Sequence, residues 1–347
     1  MFQIRLQQQA ATDLAALRTR LQVWAEERGW TTAGSKESDN ILYLQGVTSA
    51  SELSMLAKWE GVEVVLAENA PATAAIERLP QTVQVGSAEF GGGAASFIAG
   101  PCSVENYESL LDLAQHLVAA GATALRAGAF KPRTSPYAFQ GLGLPGLEIL
   151  SAVRRETGLP VVTEVLDLRD LDAVADHADI LQIGSRNMAN SPLLKEVGRA
   201  GKPVLLKRGM SATLEEFIFA AEYVALGGAP SVLLCERGLR HFDPAVRNVL
   251  DLSAVPALKQ KTGLPVIVDP SHGTGRADLV PTMLLAAAAA GADGFLVEVH
   301  SNPSAAWSDA DQALPLSSFE SVVPRVAKVL AACDRELRVS RSPRTKV

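Results

Sequence analysis

Cysteine is the first scarcity in this 347-residue sequence: Cys102, Cys235 and Cys333 form an odd, widely spaced set. Such a set makes no disulfide framework and points to a reducing cytoplasm. Positive charge is also short. With 32 Lys and Arg against 38 Asp and Glu, the net charge of -6 argues against nucleic acid or an anionic membrane as the main partner, so any basic cluster must be local. Long apolar runs are missing as well. The start, MFQIRLQQQAATDL, lacks the apolar segment of a signal peptide, and the alanine run Ala286 to Ala290 is too short and glycine-bounded to span a bilayer. No CxxC or HxxxH spacing occurs, so no metal motif is local. What is plentiful is apolar content, 48% of residues, enough for a well-buried core in two domains or one large barrel.

Residues 1–80 read as a compact α+β unit. Phe2, Ile4 and Leu6 alternate as a strand, and Leu14, Leu17, Leu21 and Trp24 recur at helical spacing up to Gly29. A strand near Trp30 to Thr32, another through Ile41 and Tyr43, a helix over Ser51 to Trp59 and a strand from Val62 to Leu66 complete a βαββαβ order, that of a ferredoxin-like module. The module has no His, no Cys and no glycine-rich phosphate loop, so it is expected to pack or to sense a small molecule rather than to catalyse. Residues 81–95, with their GGGAA run, read as a flexible linker.

Over residues 96–334 the rhythm changes. Apolar runs begin at Phe97, Ala124, Val161, Ile180, Val204, Val232, Val266 and Phe295, each separated by a helix-length segment. That alternation predicts a (β/α)8 TIM barrel, preceded by the small ferredoxin-like domain. Residues 335–347 read as a basic, solvated tail.

In such a barrel the strand ends carry the chemistry. Phe130 to Gly143, FKPRTSPYAFQGLG, follows one of the runs and concentrates anion-binding groups: Lys131 and Arg133 as cations, Pro132 fixing the backbone between them, Thr134 and Ser135 as hydroxyls. Arg126, Lys131, Arg186, Lys207 and Arg237 stand at strand ends of an otherwise acidic protein. Each alone is commonly a solvated surface charge; together they suit a small substrate carrying phosphate and carboxylate. Cys102, His272, Glu298 and a downstream acid such as Asp309 offer sulfur, nitrogen and oxygen donors from separate strand ends, a mixture that suits a divalent transition metal better than magnesium or calcium. Asp311 is a competing carboxylate, and Cys102 or His272 could equally be a buried packing residue.

The motifs GPCSVEN, LRAGAFKPRTSPYAFQGLG, VVTEVLD, QIGSRN, PVLLKRG, LCERGLR, DPSHGTGRAD and VEVH, in that order, resemble those of the type I beta 3-deoxy-D-arabino-heptulosonate 7-phosphate (DAHP) synthases. The resemblance implies a metal-dependent condensation of phosphoenolpyruvate with erythrose 4-phosphate at the entry to aromatic amino-acid biosynthesis, in a cytoplasmic homotetramer. It implies one divalent ion of the manganese, iron, cobalt or zinc class on Cys102, His272, Glu298 and Asp309. Phosphoenolpyruvate is implied at Arg126, Lys131, Ser185, Arg186, Lys207 and Arg237, with Glu164 beside the reacting carbons, and erythrose 4-phosphate at Lys131, Pro132, Arg133, Thr134 and Ser135. Lys131 is expected as a general acid near the aldehyde or the bridging oxygen, and either Glu164 or a metal-bound water as the group that manages the attacking water's proton. The first domain is expected to bind an inhibitory aromatic amino acid. Three alternatives stand beside this reading: a 3-deoxy-D-manno-octulosonate 8-phosphate synthase, which carries KANRSS where this chain has KPRTS; a Schiff-base aldolase using Lys207; and a non-catalytic phosphosugar sensor.

Overall fold

A computed structural model of the chain describes residues 2–6, 14–34, 41–47, 50–67, 73–133 and 135–340. They fall into two compact units, Met1–Ala74 and Ala75–Val347. In the first, β1 (Phe2–Leu6), α1 (Leu14–Glu26), β2 (Thr31–Gly34), β3 (Ile41–Gln45), α2 (Ala50–Leu56) and β4 (Val62–Ala67) follow the expected order. The strands form one antiparallel sheet in the order β2-β3-β1-β4, so β1 lies between β3 and β4, as a ferredoxin-like fold requires. The alternating Ile4 and Leu6, with Leu42 and Leu44 beside them, bury one sheet face against Leu17 and Leu21 of α1.

The second unit opens with a hairpin, β5 (Val83–Val85) and β6 (Ala88–Phe90). The barrel then runs β7 (Ala94–Gly100), α3 (Tyr107–Ala120), β8 (Ala124–Arg126), α4 (Leu144–Thr157), β9 (Val161–Glu164), α5 (Leu171–His177), β10 (Ile180–Ile183), α6 (Ser191–Arg199) and β11 (Val204–Lys207). It continues with α7 (Leu214–Gly227), β12 (Val232–Glu236), α8 (Ala254–Thr262), β13 (Val266–Val268), the short α9 (Pro270–Thr274), α10 (Val280–Ala289), β14 (Gly294–His300), β15 (Leu314–Pro315), α11 (Leu316–Ala332) and β16 (Glu336–Leu337). From β7 to β14 each strand pairs in parallel with the next, and β14 returns to β7 with Gly294 opposite Ser96 and Glu298 opposite Gly100. The eight-stranded barrel is closed. Its strands read as near-continuous apolar runs because both faces are covered, by helices outside and by layered side chains within; β7 is buried at all seven positions. Local signals agree with this: α7 starts in a reciprocal capping box between Thr213 and Glu216.

Two expectations are corrected. The segment 81–95 is a structural plug, where flexibility was expected. Val83, Ala88 and Phe90 of the hairpin share one core with the inward residues Ile98, Ala124, Val162, Ile180, Leu205, Leu233, Ile267 and Leu296. Phe90 is fully buried and contributes roughly 1.5–3 kcal/mol by that burial alone. The glycines that suggested flexibility hold one defined path: Gly91, Gly92 and Gly93 all have positive φ, and a Cβ on Gly91 would stand 2.2 Å from the Gln81 carbonyl oxygen. Sequence could not separate these two uses of glycine. The tail, too, begins later than 335. β16 pairs with β7, Arg335 binds Asp293 at 2.7 Å and Arg338 binds Glu89 at 2.9 Å, so these basic residues are held by acids at the barrel's hairpin end. Residues 341–347 lie outside the described residues.

Candidate active site

The carboxyl ends of the strands ring a cleft of about 700 Å³, its open mouth included, lined by Arg126, Lys131, Pro132, Arg133, Glu164, Ser185, Arg186, Lys207, Arg237, His272 and Asp309. Gln182, Gly184, Met210 and Arg247 complete the lining. Nearly all the expected site residues therefore meet in one place. Ser135 is exposed and accepts the Tyr137 backbone N–H, away from the lining. Thr134 lies outside the described residues.

Beneath the cleft Cys102 and Glu298 are buried, and Cys102, Glu298 and Asp309 bring donor atoms within 4.8 Å of one another. Cys102 Sγ lies 3.0 Å from Asp309 Oδ2, which selects Asp309 over Asp311 as the nearby carboxylate. Lys131 Nζ donates to Cys102 Sγ at 2.9 Å and to the Cys102 carbonyl at 2.8 Å. Arg126 Nη1 donates to Glu298 Oε1 at 2.7 Å and to the Pro101 carbonyl at 2.9 Å. Burial above all, and then Glu298, pushes the Cys102 thiol up to about 11, with Lys131 and Arg126 opposing.

His272 sits on α9, whose start is set by Asp269, with Oδ1 accepting the His272 backbone N–H at 3.0 Å. The same carboxylate faces His272 Nδ1 at 2.8 Å and Lys207 Nζ at 2.5 Å. Burial works against a charge on Asp269, but the His272 ring and the Lys207 ammonium outweigh it and hold the carboxyl well below its usual range. Burial also lowers the His272 pKa, with Asp269 opposing. A ring that donates from Nδ1 to Asp269 presents the Nε2 lone pair to Glu298 Oε1, 3.4 Å away. Two acceptors facing each other beside a thiol and a second carboxylate fit a cation between them, and sulfur with nitrogen and oxygen fits a transition metal.

Two further donor atoms of the cleft's cations lack partners. Among the described residues, Arg126 Nε and Arg133 Nη2 are buried donors with no hydrogen-bond partner. Buried donors are normally satisfied, so these two mark positions where an anion fits. Glu164 accepts from Gln182 Nε2 at 3.3 Å and lies so close to Gly184 that a Cβ there would stand 2.0 Å from Glu164 Oε1. Lys207 is committed to Asp269, which does not suit a Schiff-base nucleophile.

Sequence reading missed Asp269, Gln312, Arg247 and the Arg208–Glu236 pair. Gln312 Nε2 donates to Glu298 Oε2 at 2.5 Å and its Oε1 accepts from Arg247 Nη1 at 2.8 Å. Arg208 Nη1 binds Glu236 at 2.8 Å and Asp251 at 3.0 Å, fixing the strand end next to Arg237. Asp269, Arg208 and Glu236 lie inside DPSHGTG, LKRG and LCERG, so the motifs held the signal. Gln312 and Arg247 have no such local mark.

Fold and site together define a (β/α)8 enzyme with a strongly cationic cleft over a buried thiol, imidazole and carboxylate cluster. The family model of the DAHP synthetase I family matches residues 76–332. A phospho-2-dehydro-3-deoxyheptonate aldolase of Thermotoga maritima is 49% identical over 72% of this chain and 74% of its own length. A crystal structure of a Thermotoga maritima protein of that name, also titled DAHP synthase, has a TM-score of 0.75 at 39% identity, covering 97% of this chain and 99% of that one. A 2-dehydro-3-deoxyphosphooctonate aldolase of Syntrophotalea carbinolica is 33% identical over 72% of this chain and 96% of its own. The chain belongs to the DAHP synthetase I family and is an enzyme of the DAHP synthase type, which sets aside the non-catalytic sensor. Among the described residues no helix is long and apolar enough to cross a membrane.

Proposed function

We propose that the chain joins phosphoenolpyruvate, erythrose 4-phosphate and water into DAHP and inorganic phosphate. The observation that carries this reading is the pair of unpartnered buried donors, Arg126 Nε and Arg133 Nη2, on a cleft also lined by Lys131, Arg186, Lys207, Arg237 and Arg247. Such a site suits two phosphorylated reactants held together. Arg126, Lys131, Arg186, Lys207 and Arg237, with Ser185, hold phosphoenolpyruvate. The segment from Lys131 through Pro132, Arg133, Thr134 and Ser135 receives erythrose 4-phosphate.

The phosphoenolpyruvate methylene carbon attacks the aldehyde carbon, and the aldehyde oxygen takes a proton from Lys131 Nζ, which stands beside Cys102. Water adds to the carbon that bears the phosphate ester and gives its proton to Glu164. The carbon–oxygen bond of the ester then breaks with its electron pair leaving on phosphate, while the hydroxyl oxygen forms the ketone carbonyl and passes its proton to the departing phosphate. The cationic side chains stabilise the phosphates and carboxylate throughout. Cys102, His272, Glu298 and Asp309 would hold one divalent ion of the manganese, iron, cobalt or zinc class. Lewis-acid polarisation of the aldehyde carbonyl is the chemistry such an ion supplies when bound.

The three cysteines are unpaired, in keeping with a reducing cytoplasm. In this reading the chain works as a homotetramer whose first unit binds an aromatic amino acid as feedback inhibitor: tyrosine or phenylalanine slows the full chain and leaves a chain starting at Ala75 unaffected. The similarity to 2-dehydro-3-deoxyphosphooctonate aldolases keeps a five-carbon aldose as the second reading. The test follows loss of the ultraviolet absorbance of phosphoenolpyruvate. Loss is expected only with erythrose 4-phosphate present, stops with a chelator and returns with a divalent ion; no loss under any of these conditions contradicts the proposal.

A further inference from the structure

The loop after β8 and the loop that carries Asp309 leave different strands, yet they meet at one aromatic contact. The Phe139 and Trp307 rings lie edge to face, centroids 5.1 Å apart and planes at 88°. Each ring is tied by a short path to a group in the cleft. On one side Arg133 Nε donates to the Phe139 carbonyl at 2.9 Å, and Arg133 Nη2 is the buried donor without a partner. On the other side the Trp307 backbone N–H donates to Glu105 at 2.9 Å, the Ser308 and Ser103 hydroxyls bond at 3.0 Å, and Asp309 follows. Asp309 has a left-handed backbone, φ 50°, which a residue other than glycine keeps only when its surroundings hold it. Trp307 itself remains 53% exposed, so the barrel core does not account for a ring of this size here.

We infer that the Phe139–Trp307 contact couples the aldose-phosphate pocket to Asp309. An anion seated on Arg133 fixes the Phe139 backbone, and the Phe139 ring then steadies Trp307 and, two residues on, the carboxylate that faces Cys102. The inference rests on the reading that Arg133 receives the phosphate of erythrose 4-phosphate. Neither Phe139 nor Trp307 lines the cleft, so both are positioning residues. An edge-to-face pair is worth about a two- to tenfold change in an equilibrium, and coupling of this kind acts in both directions.

Steady-state kinetics of the full chain tests it with Phe139→Ala, Trp307→Ala, the double variant and Trp307→Phe. Each alanine variant should raise KM for erythrose 4-phosphate about two- to tenfold and leave KM for phosphoenolpyruvate unchanged. The double variant should be no worse than the poorer single, and Trp307→Phe, which keeps a ring, should recover most of the loss. A spectroscopic arm uses the fact that Trp24, Trp30 and Trp59 all precede Ala75, which leaves Trp307 as the only tryptophan of the barrel unit. Erythrose 4-phosphate alone should change the emission of the parent chain and leave that of Trp307→Phe unchanged. Equal effects on both substrates, additive singles, or an emission change that survives in Trp307→Phe would each overturn the coupling. A parent chain that does not turn over erythrose 4-phosphate overturns the reading beneath it, whereas normal parent turnover with unaffected variants overturns the coupling alone.

Discussion

Replacing Asp269 by Asn probes a fully buried charge of the site. The carboxylate is fully buried and accepts from Lys207 Nζ, His272 Nδ1 and the His272 backbone N–H. Asn keeps the volume and one acceptor oxygen but leaves the Lys207 ammonium, 4% exposed, without its counter-charge. Breaking one side of a buried pair costs roughly 3–5 kcal/mol, with Asn at the lower end and Asp269→Ala at the upper. The same change loosens the ring that aims Nε2 at Glu298, and loss of such a supporting partner weakens divalent-ion binding about 10- to 100-fold. Chemical denaturation of ion-free protein reads the first effect without linkage to bound ion, and calorimetric titration with manganese or zinc reads the second. The pH sign follows from the lowered Asp269 carboxyl. Its stabilisation is complete above the unfolded carboxyl value of about 3.9 and fades as pH falls below that toward the folded value, so the gap between parent and Asn variant is full at neutral pH and closes only in acid. An Asp269→Asn chain that unfolds with the parent at neutral pH and binds the ion equally well would refute the argument.

Other expectations follow from the same geometry. Because the Cys102 thiol is pushed up to about 11, ion binding must expel its proton; affinity should rise by about tenfold per pH unit below that value, and calorimetry in buffers of different ionisation enthalpy should count about one proton released per ion. No pH slope would contradict Cys102 as a ligand. A chain starting at Ala75 should melt as the full barrel does, whereas one starting at Ser96 loses the hairpin plug and should be destabilised by at least the roughly 3–5 kcal/mol of a buried Phe→Ala change, read by thermal denaturation. Arg133→Ala should raise KM for erythrose 4-phosphate about 10- to 100-fold with little change for phosphoenolpyruvate, as expected for one charged hydrogen bond; unchanged KM for the aldose would remove Arg133 from that pocket.

The barrel was legible in the sequence because a parallel strand covered on both faces leaves a near-continuous apolar run, as at Val204, Leu205 and Leu206, and because such runs recur with helices between them. The site was legible where a residue type is conspicuous at a strand end, as with Arg126 or His272. Asp269 and Glu236 escaped notice because a buried acid that braces a catalytic neighbour looks in sequence like any other acid. Gln312 escaped because its partners, Glu298 and Arg247, come from other parts of the chain. The hairpin plug was read as a linker because Gly91 to Gly93 signal both flexible backbone and a tight fixed path; only the packed Phe90 distinguishes them.

The most direct measurement compares phosphate release from phosphoenolpyruvate, in the presence of a divalent ion, with erythrose 4-phosphate and with arabinose 5-phosphate as the aldehyde. Release with the four-carbon aldose and essentially none with the five-carbon one is the predicted result, since the Lys131–Pro132–Arg133 segment is read as the aldehyde selector. Equal or faster release with arabinose 5-phosphate would contradict it.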